Sequence, residues 1–179
     1  MRIGFDLDKV FVNTPPLIPD VIIERLYKAK SNGVLLYRIP KRPGQLIRRV
    51  GHTPFLRPVI QENIAFLRSI NRQEHSLYLI SSRFGFLEDI TERLVKRLGL
   101  DTVFTHIYFN YDNKQPHLYK NAIIKKLRLD RYVDDDLRLL QFVAAQNKQT
   151  RFFWLNPKKD NISLAPNITA ITSLKSVLS

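Results

Sequence analysis

Three points in this chain bring acidic, hydroxyl and basic side chains together where an apolar run breaks off. Asp6 and Asp8 follow Ile3-Gly4-Phe5, Ser81-Ser82-Arg83 follows Leu77-Tyr78-Leu79-Ile80, and Asp134-Asp135-Asp136 follows Tyr132-Val133. Lys120 lies between the last two. Carboxylates from two such points can share one hard cation, because Mg²⁺ is usually held by one or two carboxylates together with substrate oxygens. A hydroxyl and an ammonium then suit the remaining oxygens of a phosphoryl group. Taken singly, each element is ordinary. Asp clusters cap helices and fill turns, and a lone helix Lys usually faces water. Taken together they favour phosphoryl chemistry.

The elements that must position these residues alternate. Residues 2–7 read as a short buried strand. Apolar positions from Pro16 to Leu26 predict a helix that stops near Gly33. Residues 34–57 carry Pro40, Pro43, Gly44, Gly51 and Pro54 and predict irregular chain with short helices at most. Pro58 opens a helix whose inner face is Ile60, Ile64, Leu67 and Ile70. Strands then follow at 77–80, 103–109, 132–133, 151–155 and 170–171. Helices are expected at 86–98, 117–127, 137–146 and 173–178. This order predicts an α/β domain of Rossmann-like type, with a doubly wound, mostly parallel sheet. Residues 1–13 and 58–179 form the core domain, and 14–57 form a small, basic, helical cap inserted after the first strand. In such a sheet, ligands bind at the carboxyl ends of the strands, where all three clusters fall.

Composition narrows the function classes. The 179 residues include no Cys, which excludes a disulfide scaffold, a thiol nucleophile and a Cys-ligated zinc site, and favours a cytoplasmic protein. Asp6 and Asp8 interrupt any signal-peptide apolar region. No apolar run approaches the roughly 18 residues of a membrane span. Net charge is +13, and residues 25–57 hold nine Lys or Arg with no Asp or Glu. A single-sign segment attracts anionic substrates or polyanions, or is simply a solvated basic surface. Tyr27, Tyr37 and Phe55 among these charges fit either nucleic-acid stacking or the insertion's own small core. His52, His75, His106 and His117 show no ligand spacing and read as packing or surface residues, and Trp154 as core.

In their order, the four motifs resemble those of the haloacid dehalogenase superfamily: strand then Asp-x-Asp, strand then Ser or Thr, Lys at a helix start, strand then Asp-Asp. The resemblance runs from Ile3 to about Leu155. It implies a phosphoric monoester hydrolase in which Asp6 is the nucleophile, forming an aspartyl-phosphate. It implies that Asp8 is the general acid that later activates water. It also implies Mg²⁺ as cofactor, held by Asp6, the backbone carbonyl of Asp8 and an Asp of the fourth motif. Asp135 is favoured for that place, with Asp134 supporting Lys120 or a metal-bound water. Ser81 would bond a phosphoryl oxygen and Lys120 would neutralise charge on the nucleophile. Ser82, and Lys114, Lys125 or Lys126, are the alternatives. Lys9 stands where relatives often have a small residue. Asp8 argues against the dehalogenases, and Asp8-Lys9-Val10-Phe11-Val12 against the ion pumps; a mutase shares the motif.

The insertion resembles the small C1-type caps, and Arg57-Pro58-Val59-Ile60-Gln61 is distantly similar to the same stretch of 5′-nucleotidases. The expected partner is a small, multiply anionic phosphorylated substrate. The competing expectations are a phosphatase for nucleic-acid ends or polyanionic sugars, and a weakly active protein that docks nucleic acid through residues 25–57.

Overall fold

Short runs rich in Val, Ile, Leu, Phe and Tyr become six strands in the computed structural model, which describes residues 1–15, 35–53, 55–156 and 162–178. The helix expected from Pro16 to Gly33 lies outside the described residues, as do Arg25, Lys28 and Lys30 of the basic segment. The strands are β1 (Arg2–Phe5), β2 (Ser76–Phe84), β3 (His106–Asn110), β4 (Arg131–Asp134), β5 (Arg151–Leu155) and β6 (Ile168–Ile171). They lie in the order β3-β2-β1-β4-β5-β6, and every pairing is parallel. The chain winds outward from β1 to β3 and then restarts beside β1 at β4. The switch point, where an open α/β sheet binds its ligand, is therefore between β1 and β4.

Successive side chains of a strand point to opposite faces, so a sheet covered on both sides needs two cores. Ile3, Phe5, Leu77, Leu79, Val133 and Phe153 belong to one buried cluster, while their neighbours Ile80, Tyr132 and Phe152 belong to the other. Gly4 faces the second. A Cβ there would come within 2.5 Å of a Leu129 methyl and 2.8 Å of the Tyr132 ring, so only glycine lets β1 lie this close.

The helices are α1 (Arg42–Gly51), α2 (Gln61–Ser69), α3 (Glu88–Arg97), α4 (Pro116–Leu127) and α5 (Leu137–Gln146). Among the described residues, none is long and apolar enough to cross a membrane. Several boundaries differ from expectation: β3 starts at His106 rather than Val103, the closing helix is only a 3₁₀ turn at Leu174–Val177, and three more differ for physical reasons. α2 begins three residues after Pro58, because the chain is first held in an extended bridge: Asn13 N–H donates to Pro58 O at 2.8 Å, and Ile60 N–H to Phe11 O at 2.9 Å. The helix expected from Phe86 opens as a 3₁₀ turn, Gly85–Leu87. β2 runs past Ile80 to Phe84, because β3 keeps pairing with it across a register shift between Ser81 and Phe84.

Candidate active site

Asp6 continues β1 towards β4. Its N–H donates to Val133 O at 3.0 Å, which brings its side chain beside the acidic end of β4. Lys120 comes from α4, which opens with Pro116 and packs a face containing Lys120 and Ile124 inward. Its ammonium lies 2.9 Å from Asp6 Oδ1 and donates to Asp134 Oδ2 at 2.6 Å. Asp134 also accepts from the Tyr132 hydroxyl at 2.9 Å and from Asp136 N–H at 3.0 Å. Asp135 has Lys9 Nζ at 3.8 Å, and its backbone carbonyl accepts from Trp154 Nε1 at 3.0 Å. Among the expected alternatives to Lys120, Lys114 pairs with Asp112 at 3.3 Å, Lys125 reaches Gln146, and Lys126 sits over the Tyr108 ring.

One carboxylate oxygen from each of Asp6, Asp134 and Asp135 lies within 4.8 Å of the others. Burial pushes the Asp6 carboxyl up to about 7, opposed by the Lys120 ammonium and reinforced by Asp134 and Asp8. Burial, and then Asp134 and Asp6, hold Asp135 well above the carboxylate range. Burial works against the Lys120 ammonium, yet Asp134 and Asp6 keep its pKa well above the usual value. Three carboxylates thus face Lys120 and the more distant Lys9, and a divalent cation would relieve the remaining repulsion. The donor set is oxygen only, as Mg²⁺ requires. Because Lys120, Tyr132 and the Asp136 amide already use Asp134, the carboxylates of Asp6 and Asp135 are the better pair to hold the ion.

Asp8 stands in a different environment. Arg83 grips it through two bonds, Nη2 to Oδ1 at 2.7 Å and Nε to Oδ2 at 2.9 Å, and Arg57 Nη1 forms an ion pair with Oδ1. Burial disfavours the ionised carboxylate, but Arg83 and Arg57 hold it well below the usual range. Arg83 also reaches Thr91 Oγ1 at 3.3 Å. Behind Arg57, His52 lies with Nε2 3.3 Å from Arg57 Nη2 and Nδ1 2.8 Å from Arg48 O. Burial, then the charges of Arg57 and Arg83, push the His52 pKa well down. A neutral ring donating from Nδ1 and accepting at Nε2 satisfies both contacts. Arg57 was expected only as one of the basic residues of 25–57, Arg83 only as part of the Ser81-Ser82-Arg83 cluster, and His52 only as a packing or surface residue.

The loop between Asp6 and Val12 aims these groups. Lys9 has φ +56°, the left-handed region that glycine adopts without strain. Its N–H donates to Val12 O at 2.7 Å, and Asn63 Nδ2 donates to Val10 O at 2.6 Å from α2. Lys9 thus occupies a glycine-like position while its side chain reaches towards Asp135.

A cavity of about 490 Å³ connects the two groups, and its wall includes Asp6, Asp8, Lys120, Asp135, Arg57 and Arg83. Of the two serines, Ser82 is on that wall; Ser81 is 1% exposed and its hydroxyl accepts from Arg83 N–H at 3.4 Å. The described part of the insertion supplies Tyr37, Arg48, His52 and Arg57 to the wall. Several contacts tie it to the core, among them two side-chain pairs. Tyr37 donates its hydroxyl to Asp136 Oδ2 at 2.7 Å, and Arg49 bonds both oxygens of Asp89 at 2.9 and 2.8 Å.

The sequence matches no protein-family model and no curated protein sequence. The structure resembles several solved ones over nearly its whole length. A protein of Thermotoga maritima provisionally described as a beta-phosphoglucomutase is 16% identical with a TM-score of 0.57, covering 99% of this chain and 96% of that one. The D,D-heptose 1,7-bisphosphate phosphatase of B. bronchiseptica, solved with magnesium and phosphate, is 13% identical with a TM-score of 0.56 over 99% and 96%. A HAD-superfamily hydrolase of Ehrlichia chaffeensis is 13% identical with a TM-score of 0.55 over 98% and 93%. The chain therefore has the fold of the haloacid dehalogenase superfamily hydrolases.

Proposed function

We propose that this chain is a Mg²⁺-dependent phosphatase that hydrolyses a small phosphomonoester through an aspartyl-phosphate on Asp6. The observation that carries this reading is the convergence of Asp6, Asp134, Asp135 and Lys120 at the β1–β4 switch point, with one oxygen of each carboxylate within 4.8 Å of the others. A solved neighbour of the same fold that contains magnesium and phosphate supports it. Asp6 and Asp135, with the carbonyl of Asp8, would hold Mg²⁺, which supplies charge neutralisation for the phosphoryl oxygens.

In the first step an Asp6 oxygen attacks phosphorus and the P–O bond to the leaving group breaks. Lys120 fixes Asp6 for the attack and offsets charge gathering on the phosphoryl oxygens. Ser82, from its place on the wall, or Ser81 behind it, donates to one of those oxygens. Asp8, once its carboxyl has turned from the arginines and taken up a proton from solvent, gives that proton to the departing alkoxide. In the second step Asp8 takes a proton from water. The water oxygen then attacks phosphorus, releasing inorganic phosphate and restoring Asp6. Splitting one displacement into two is the advantage of the covalent route.

A screen of nucleoside monophosphates, sugar phosphates and end-phosphorylated oligonucleotides tests this, with Mg²⁺ and with EDTA. Phosphate release in at least one small-molecule class, lost with EDTA and in Asp6→Asn, is the expected result. Release that persists in Asp6→Asn would remove Asp6 from the chemistry. Activity confined to the oligonucleotides would move the substrate to nucleic-acid ends.

A further inference from the structure

We propose that Tyr37 is a positioning residue for the acidic end of the cavity: it ties the opening of α4 to the opening of α5 and so fixes Asp135 against Asp6 and Lys120. The proposal rests on the phosphatase reading above and adds a residue to that site.

Two helices deliver much of the cluster. Lys120 lies one turn into α4, whose N-cap residue is Gln115. Asp135 immediately precedes Asp136, the N-cap residue of α5. Tyr37 bonds both N-cap residues. Its N–H donates to Gln115 Oε1 at 2.9 Å, and its carbonyl accepts from Gln115 Nε2 at 3.2 Å. Its hydroxyl donates to Asp136 Oδ2 at 2.7 Å. The rings continue the bridge. Tyr37 stacks on His117 of α4 with centroids 6.0 Å apart, and His117 meets Phe142 of α5 edge-on at 4.6 Å.

The side chains on both helices suit a tether. Gln115 makes no side-chain cap on its own helix. Its amide, with one acceptor and two donors, instead matches the N–H and C=O of a single residue. Asp136 divides its carboxylate: Oδ1 accepts from the Arg138 and Leu139 amides at 3.1 and 3.4 Å, while Oδ2 accepts from Tyr37. Asp136 N–H in turn donates to Asp134 Oδ1 at 3.0 Å, and Asp134 Oδ2 accepts from Lys120 at 2.6 Å. The contacts close a ring. They run from Tyr37 to Asp136, Asp134 and Lys120, then back through the first turn of α4 to Gln115 and Tyr37. Hydrogen-bonded side-chain networks of this kind rigidify their members. Asp135 stands between two members of the ring, with its carbonyl held by Trp154.

Rigidity matters here because Mg²⁺ demands near-octahedral oxygens at about 2.0–2.1 Å. Residues that orient metal ligands change metal affinity or activity by about 10–100-fold when removed. Tyr37 comes from the stretch between β1 and α1, so that stretch takes part in ordering the metal site.

Calorimetric titration of metal-free protein with Mg²⁺ tests the proposal on Tyr37→Phe and Gln115→Ala. Tyr37→Phe keeps the ring and the backbone bonds but removes the hydroxyl, and Gln115→Ala opens the other end. Each should weaken Mg²⁺ binding about tenfold. The double variant should lose little more than either single one, because a tether cut at one end is already cut. Hydrolysis of a substrate found by the screen should fall at low Mg²⁺ in both variants and recover as Mg²⁺ is raised. Tyr37→Phe decides alone if Gln115→Ala does not fold. Wild-type Mg²⁺ affinity in Tyr37→Phe, even with a lowered melting temperature, would overturn the proposal, as would fully additive losses in the double variant. In either case the phosphatase reading stands. A wild-type protein that binds no Mg²⁺ would overturn both.

Discussion

One end of the cavity brings three carboxylates together beside Lys120, and the other sets two arginines, Arg57 and Arg83, against Asp8. The first group comes wholly from the core: the end of β1, the end of β4 and the inner face of α4. The second is stitched across the junction between the insertion and the core, with Arg57 on one side and Arg83 on the other. The difference explains two carboxylates that are neighbours in sequence. Asp6, lifted first by burial and then by the acids beside it, rises to about 7, while Asp8, two residues on, is held low by arginines. An excess of buried negative charge suits a cation and a phosphoryl group.

Removing the balance of the first group should have the largest effect. Lys120 is 1% exposed and bonds both Asp6 and Asp134. Lys120→Met leaves those carboxylates buried without their counter-charge, which costs about 3–5 kcal/mol of stability. Urea unfolding of metal-free protein checks this, and saturating Mg²⁺ should recover part of the loss. An unchanged midpoint would mean that the cluster is far better solvated than its burial implies.

Asp8→Asn comes next. If Asp8 moves protons, kcat for a poor leaving group should fall by about 10²–10⁴, and substrates with an acidic leaving group such as p-nitrophenyl phosphate should suffer less in the first step. If Asp8 only braces the arginines, both substrate types should lose activity equally, and mainly through KM.

The smallest effect separates two adjacent arginines. Arg48 lines the cavity, whereas Arg49 binds the exposed Asp89 and the Phe86 carbonyl at 2.7 Å. Arg48→Ala should raise KM with kcat nearly unchanged, the signature of lost uniform binding. Arg49→Ala should leave KM alone and lower stability by about 0.2–1 kcal/mol, the usual range for an exposed pair. Steady-state kinetics and thermal melts on the two variants decide it. Equal shifts in KM would make the charge of the segment, rather than the place of each side chain, the operative quantity.

Much of this molecule was legible because its chemistry is attached to regular elements. Parallel strands buried on both faces are nearly continuous apolar runs, so Leu77-Tyr78-Leu79-Ile80 and Tyr132-Val133 announced themselves, and the polar residues ending them marked the site. Lys120 was readable as a lysine in a helix between two strands. The serine was harder, because adjacent strand positions face opposite ways and the register of β2 shifts just there. Lys9 looked like a departure from the loop pattern. It takes the left-handed backbone regardless, and its side chain reaches towards Asp135. The places of Arg57 against Asp8 and of His52 behind it could not be read. Their partners are Asp8 and the Arg48 carbonyl, and spacing along the chain carries no trace of the long-range contact with Asp8.

The central claim is that phosphorus becomes bonded to Asp6, and trapping that bond tests it most directly. A ³²P-labelled substrate found by the screen is mixed with enzyme and Mg²⁺, quenched in acid within the first turnover, digested and mapped. The label should appear on the peptide containing Asp6, disappear on treatment with hydroxylamine, and be absent from Asp6→Asn. Wild-type enzyme that releases phosphate steadily with no label on that peptide, while Asp6→Asn continues to turn over, would contradict the account.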